Sequence, residues 1–285
     1  MRSRLFRALL PLLLLSCAAA SAAPIAVDVP PAGLSSSPAP LKAFLFEPAG
    51  PGPFPAVVML HGCGGAYAHG GELNARHLMW GEFLAAHGYA ALMLDSFSAR
   101  GIREICTVKY QSRTIKESER VGDAYAALAW LSARPEIAAD RAVLLGWSHG
   151  AGVTLDAITR QPKPAPAFRA AVAFYPGCTT RAKKPERFHP YAPLFILIGE
   201  SDDWTPAAPC EALAATVAAR GEPIRIQTFP GTYHDFDNPA LKSAHVRKEV
   251  PNGVHPGQGV TVAPNPAARE EAEARVLEFL AEPRP

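Results

Sequence analysis

Six short apolar runs, at residues 55–60, 89–94, 141–145, 170–174, 194–198 and 224–229, constrain this chain more than any other feature. Each reads as apolar without polar alternation, the pattern of a parallel strand covered on both faces. Between them lie helical stretches. Residues 83–87 stop at Gly88. Residues 117–133 carry Val121, Ala124, Leu128 and Leu131 on one stripe, residues 207–219 stop at Gly221, and residues 267–280 gather Ala272, Val276, Phe279 and Leu280. Strand–helix alternation of this kind predicts an α/β class fold, a mostly parallel central sheet with helices on both faces. No linker divides the interior, so residues 23–285 are expected to form one domain, with residues 24–40, rich in Pro, Ala and Ser, as an extended lead-in.

Residues 1–22 read as a signal peptide: Arg2, Arg4 and Arg7, then an apolar run over 8–15, then Ala20-Ser21-Ala22 as a small-residue cleavage site. The expected location is periplasmic or secreted. An uncleaved anchor fits less well, because the apolar run is short for a bilayer. A lipoprotein reading at Leu14-Leu15-Ser16-Cys17 has Leu15 against it. The first 22 residues hold three arginines and no acid, so the remainder has 25 basic residues against 26 acidic ones. No basic tract is left to imply nucleic acid or an anionic membrane. Four cysteines remain, Cys63, Cys106, Cys178 and Cys210. In an exported chain they suggest disulfides, with Cys63–Cys106 and Cys178–Cys210 favoured because each joins two loops at the same end of the predicted sheet. Buried free thiols are the alternative. No CxxC points to a metal.

The chemistry concentrates at Gly146-Trp147-Ser148-His149-Gly150, which follows an apolar run and precedes a helical one at 151–158. A sharp strand-to-helix turn there lifts the Ser148 hydroxyl out of the sheet edge; an ordinary Gly-rich turn is the plainer reading. A serine hydroxyl needs a base and a group that orients the base. With this turn the chain order is nucleophile, acid, histidine. Asp202 and Asp203 follow the run at 194–198, and either could instead cap the helix after Pro206. Of nine histidines, His234 alone has the required order and a loop directly after a strand. His61-Gly62-Cys63-Gly64-Gly65 suits an oxyanion loop, with the backbone N–H groups of Cys63 and His149 as donors.

Together, His61-Gly-Cys-Gly-Gly65, Asp95-Ser-Phe97 with Arg100-Gly101, Gly146-Trp-Ser-His-Gly150, Tyr175-Pro-Gly177, the segment 199–206 and His234-Asp-Phe236 resemble the dienelactone hydrolase family, from about residue 41 to 280. The resemblance implies an α/β-hydrolase fold and cleavage of carboxylic esters or lactones, without cofactor or metal. It places the acid at Asp202, four residues before Pro206, and leaves Asp203 a capping role. The sequence departs from the founding members in having Ser148 where they use cysteine, and no glutamate in the oxyanion loop. Arg100 is a candidate for a substrate carboxylate or for a structural salt bridge. Trp147, Tyr175 and Trp204 are candidates for an apolar acyl pocket or for the core. Residues 237–264 could form a lid, with their charged part, 242–249, as a solvated helix. The expected partner is a small ester or lactone. A serine peptidase of the same fold and a non-catalytic binding protein are the competing readings, and the sequence does not give the oligomeric state.

Overall fold

The computed structural model describes residues 23–160 and 166–283, so the expected signal peptide and Cys17 lie outside the described residues. Strands β1 (Ile25–Val29) and β2 (Leu41–Phe46) open the fold. They are followed by β3 (Phe54–Leu60), α1 (Ala75–Ala86), β4 (Ala90–Leu94), α2 (Glu117–Ser132), β5 (Ile137–Trp147), α3 (His149–Ala157) and β6 (Ala170–Phe174). A single turn, α4 (Thr179–Ala182), precedes β7 (Leu194–Gly199), α5 (Ala207–Ala219) and β8 (Ile224–Phe229). A small ladder of β9 (His245–Arg247) and β10 (Val260–Val262) and a last helix α6 (Pro266–Ala281) complete it.

Eight strands make one sheet in the order β1-β2-β4-β3-β5-β6-β7-β8. Along the sheet from β4 through β3 to β8 each strand is parallel to the next, and β2 runs antiparallel to both β1 and β4. Strands β4, β6 and β7 are buried at every residue. Since successive side chains point to opposite faces, both faces of the central sheet are covered. Helices α2 and α3 pack on each other and on β5, α1 packs on β4, and α5 on β8. Helix starts follow local chemistry: the Asn74 side chain accepts from Arg76 N at α1, and Asn265 accepts from Ala268 N at α6, with Pro266 in the first turn.

The structure corrects three sequence readings. The lead-in contains β1, and β2 follows it, an antiparallel pair at the sheet edge. Strand β8 is not uniformly apolar: it is the opposite edge, and Arg225 is exposed. Residues 242–249 are no helix, because they contain β9, which pairs with β10. No helix among the described residues is long and apolar enough to cross a membrane.

Candidate active site

The turn from β5 into α3 is tight. Ser148 stands there with φ 52° and ψ −114°. Two glycines make the turn possible. A Cβ on Gly146 would sit 2.3 Å from Gly150 O, and one on Gly150 would sit 2.2 Å from Leu60 O. The Ser148 N–H donates to Phe174 O (2.9 Å), which fastens the turn to β6. Among the described residues only Ser148, Tyr175 and Asp235 are non-glycines with positive φ. All three border one site, where such strain commonly collects.

The loop after β7 carries Asp202, whose Oδ1 accepts from Trp204 N (2.9 Å) and Thr205 N (2.8 Å). These bonds turn Oδ2 toward His234, on the loop after β8. His234 Nδ1 lies 2.7 Å from Asp202 Oδ2, and Nε2 lies 3.1 Å from Ser148 Oγ. With Nδ1 donating to the carboxylate, Nε2 is the nitrogen left to accept from the serine. Burial disfavours the His234 imidazolium, but the charge and hydrogen bond of Asp202 outweigh it and hold the pKa above the ordinary 6.5. Thr205 Oγ1 lies within hydrogen-bond distance of Tyr175 O, Asp202 Oδ2 and His234 Nδ1.

A cavity of about 670 Å3 opens in front of Ser148 and His234, with Cys63 and Trp204 in its wall. The N–H groups of Cys63 and His149 have no backbone or side-chain acceptor among the described residues. A buried guanidinium braces the two segments that carry them: Arg120 donates to His61 O and to His149 Nδ1, both at 2.9 Å. Burial and this cation keep the His149 imidazole neutral. Disulfides join Cys63 to Cys106 and Cys178 to Cys210. The first ties the loop after β3 to the segment before α2, and the second ties the loop after β6 to α5.

Other candidates fall elsewhere. Arg100 makes a two-pronged pair with Asp123 (2.8 and 2.9 Å) and also donates to Ser96 O, so it is structural and not a carboxylate site. Trp147 and Tyr175 do not line the cavity; both are fully buried. Their polar tips turn instead to Asp237, which accepts from Trp147 Nε1 (2.8 Å), Trp80 Nε1 (2.9 Å) and Tyr175 Oη (2.6 Å). Asp203 is no helix cap: Pro206 occupies that place, and the Asp203 carboxylate takes Thr261 N and Oγ1, both at 2.7 Å.

That latch explains residues 237–264. Val254 N bonds Asp203 O, Ala263 N bonds His234 O, and Asn252 bonds the backbone at Val108 and Tyr110. Val250 and Val260 pack in a second apolar cluster with Cys63, Cys106 and Phe97. The segment is a wall fastened at the acid loop, the histidine loop and the disulfide. Asp237, Arg76, Arg120 and Thr205 were not apparent as site residues from sequence. A polar residue inside an apolar helical stripe, as Arg120 is beside Val121, was the one available signal.

A family model described as the dienelactone hydrolase family matches residues 41–283. A search of curated proteins gave no match. Among solved structures, a Klebsiella pneumoniae subsp. pneumoniae protein assigned to dienelactone hydrolase is similar with a TM-score of 0.69 and 17% identity, over 92% of this chain and 100% of that one. Thermogutta terrifontis esterase 2, phosphoramylated by tabun, is similar with a TM-score of 0.62 and 18% identity, over 92% and 97%. Pyrococcus horikoshii acylaminoacyl peptidase is similar with a TM-score of 0.64 and 14% identity, over 92% of this chain but 42% of that one. At these identities the likeness establishes the α/β-hydrolase fold.

Proposed function

The chain belongs to the dienelactone hydrolase family, and from that premise we propose that it is a serine hydrolase cleaving carboxylic esters or lactones through an acyl-enzyme on Ser148. The observation that carries this reading is His234 set between Ser148 Oγ and Asp202 Oδ2. His234 Nε2 takes the hydroxyl proton as Oγ attacks the ester carbonyl. The N–H groups of Cys63 and His149 receive the developing oxyanion. His234 then gives the proton to the departing alkoxide. In the second half, water replaces the alcohol: its proton goes to His234, its oxygen attacks the acyl carbon, and the acid leaves as Ser148 regains its proton. No step calls on a metal or cofactor. The two disulfides and the character of residues 1–22 support an exported protein.

A fluorophosphonate probe tests the reading. One covalent adduct is expected, on Ser148 in peptide mapping, together with turnover of p-nitrophenyl acetate. An unlabelled, folded protein overturns it. A panel of matched esters and peptides separates an esterase from a peptidase.

The pH profile is a second expected result. The base must be neutral to act, and its pKa stands above 6.5. Ester kcat/KM therefore climbs with pH and reaches half its plateau above pH 6.5. The Asp202→Asn variant loses the charge that raises this pKa, so its half-point moves to lower pH while its plateau drops. A parent half-point at or below 6.5 contradicts the assignment of His234.

A further inference from the structure

We infer that the alcohol side of the substrate is neutral and hydroxyl-rich, a sugar or polyol ester, recognised by Tyr67, Asn74 and Asn238. This rests on the hydrolase reading and adds its substrate class.

The cavity before Ser148, about 670 Å3, has room for such a group beyond the reacting carbonyl. Its charged side chains already have partners. Arg76 is paired with Asp235 and Arg247 with Glu249. Glu104 accepts from Thr107, and Arg103 donates to the carbonyls of Ala68 and His69. The wall thus sets three guanidiniums against three carboxylates and offers no net charge with which to select an anion.

Beside these groups the wall presents neutral donors. Asn74 Oδ1 accepts from Arg76 N (3.0 Å), and Asn238 Oδ1 accepts from Ala240 N (3.0 Å). With both carboxamide oxygens fixed by local backbone, each NH2 group is held away from that bond. Both residues line the cavity, and neither NH2 group has an acceptor among the described residues. Tyr67 Oη has no hydrogen-bond partner there either, and all three side chains are half-buried. An alkyl chain laid over these donors removes their water and returns no acceptor. A polyol returns one oxygen after another. Trp204, Leu241 and Val246, also in the wall, supply apolar contact for the C–H faces of a sugar.

The test compares two acetates with alike primary alkoxide leaving groups, methyl glucoside monoacetate and hexyl acetate, so that the chemical step is matched. The sugar ester is expected to have the higher kcat/KM, by about tenfold or more. In a variant carrying Tyr67→Phe and Asn238→Ala, which removes two of the donors without adding a charge, that ratio falls toward unity. Equal ratios in the parent, a preference for the hexyl ester, or a ratio that survives the double substitution each overturn the inference. So does a protein that the fluorophosphonate labels but that cleaves neither acetate. Failure of labelling at Ser148 instead removes the hydrolase reading itself, so the two failures are told apart.

Discussion

Replacing Ser148 with alanine will lower kcat/KM for p-nitrophenyl acetate by about ten-thousand-fold or more and abolish fluorophosphonate labelling, while leaving the thermal midpoint near that of the parent. The size follows from the division of labour at the site. The hydroxyl is the atom that forms the covalent bond, so its loss removes the acyl-enzyme route and leaves oxyanion stabilisation and binding alone. The fold has little to lose. Among the described residues Ser148 Oγ hydrogen-bonds His234 alone, and the backbone bonds of residue 148 to Phe174 and Gly152 persist in alanine. The positive φ stays imposed by the close approach of Gly146 and Gly150. Because the three side chains act as one unit, adding His234→Ala to Ser148→Ala should lower the rate little further. Activity of the single variant within tenfold of the parent, measured on protein freed of contaminating esterase, would show that another group performs the attack.

The central sheet was legible because parallel strands must be apolar on both faces, and β4, β6 and β7 write that requirement into consecutive residues. The edges were harder to read. Strand β8 carries Arg225 and Gln227 on an open edge, and β1 lies in a stretch whose composition reads as a linker. At the site, chain order and turn chemistry sufficed to select Ser148 and His234 and to narrow the acid to Asp202 or Asp203; only the family resemblance pointed to Asp202, and the fold puts His234 within hydrogen-bond reach of both Ser148 and Asp202. Direction was not legible. Trp147 and Tyr175 sit at strand ends beside the nucleophile, yet both point into the core, because Asp237 waits there to accept from them. Arg100 likewise follows a strand end, and the partner that fixes it, Asp123, lies on α2. Asp203 is one residue from the acid and has a different task, since consecutive residues in that loop face opposite ways and its carboxylate meets Thr261. Pairings across such distances depend on packing, which local pattern does not encode.

Asp237→Ala will destabilise the protein by on the order of 3–5 kcal/mol, the largest loss expected from a residue that touches neither Ser148 nor His234. Asp237 is fully buried. Its carboxylate accepts from both indoles, Trp80 and Trp147, and from the Tyr175 hydroxyl. Arg76, itself buried, keeps Asp235 as its direct partner, with Asp237 3.9 Å away. Truncation strands three donors inside the protein and leaves a void among aromatic rings. Burial pushes the Asp237 pKa up, so the carboxylate is itself held at a cost, but removing the acceptor alone leaves the donors with nothing. The expected readout is a drop in the thermal midpoint of roughly 10 °C for a domain of this size. Asp237→Asn should fall between, because its oxygen can still serve the two indoles while its NH2 faces a tyrosine hydroxyl able to accept. The charge matters less than the acceptors if that order holds. A midpoint within about 3 °C of the parent for Asp237→Ala would mean that the cluster relaxes around the gap and that the fold draws little of its stability from it.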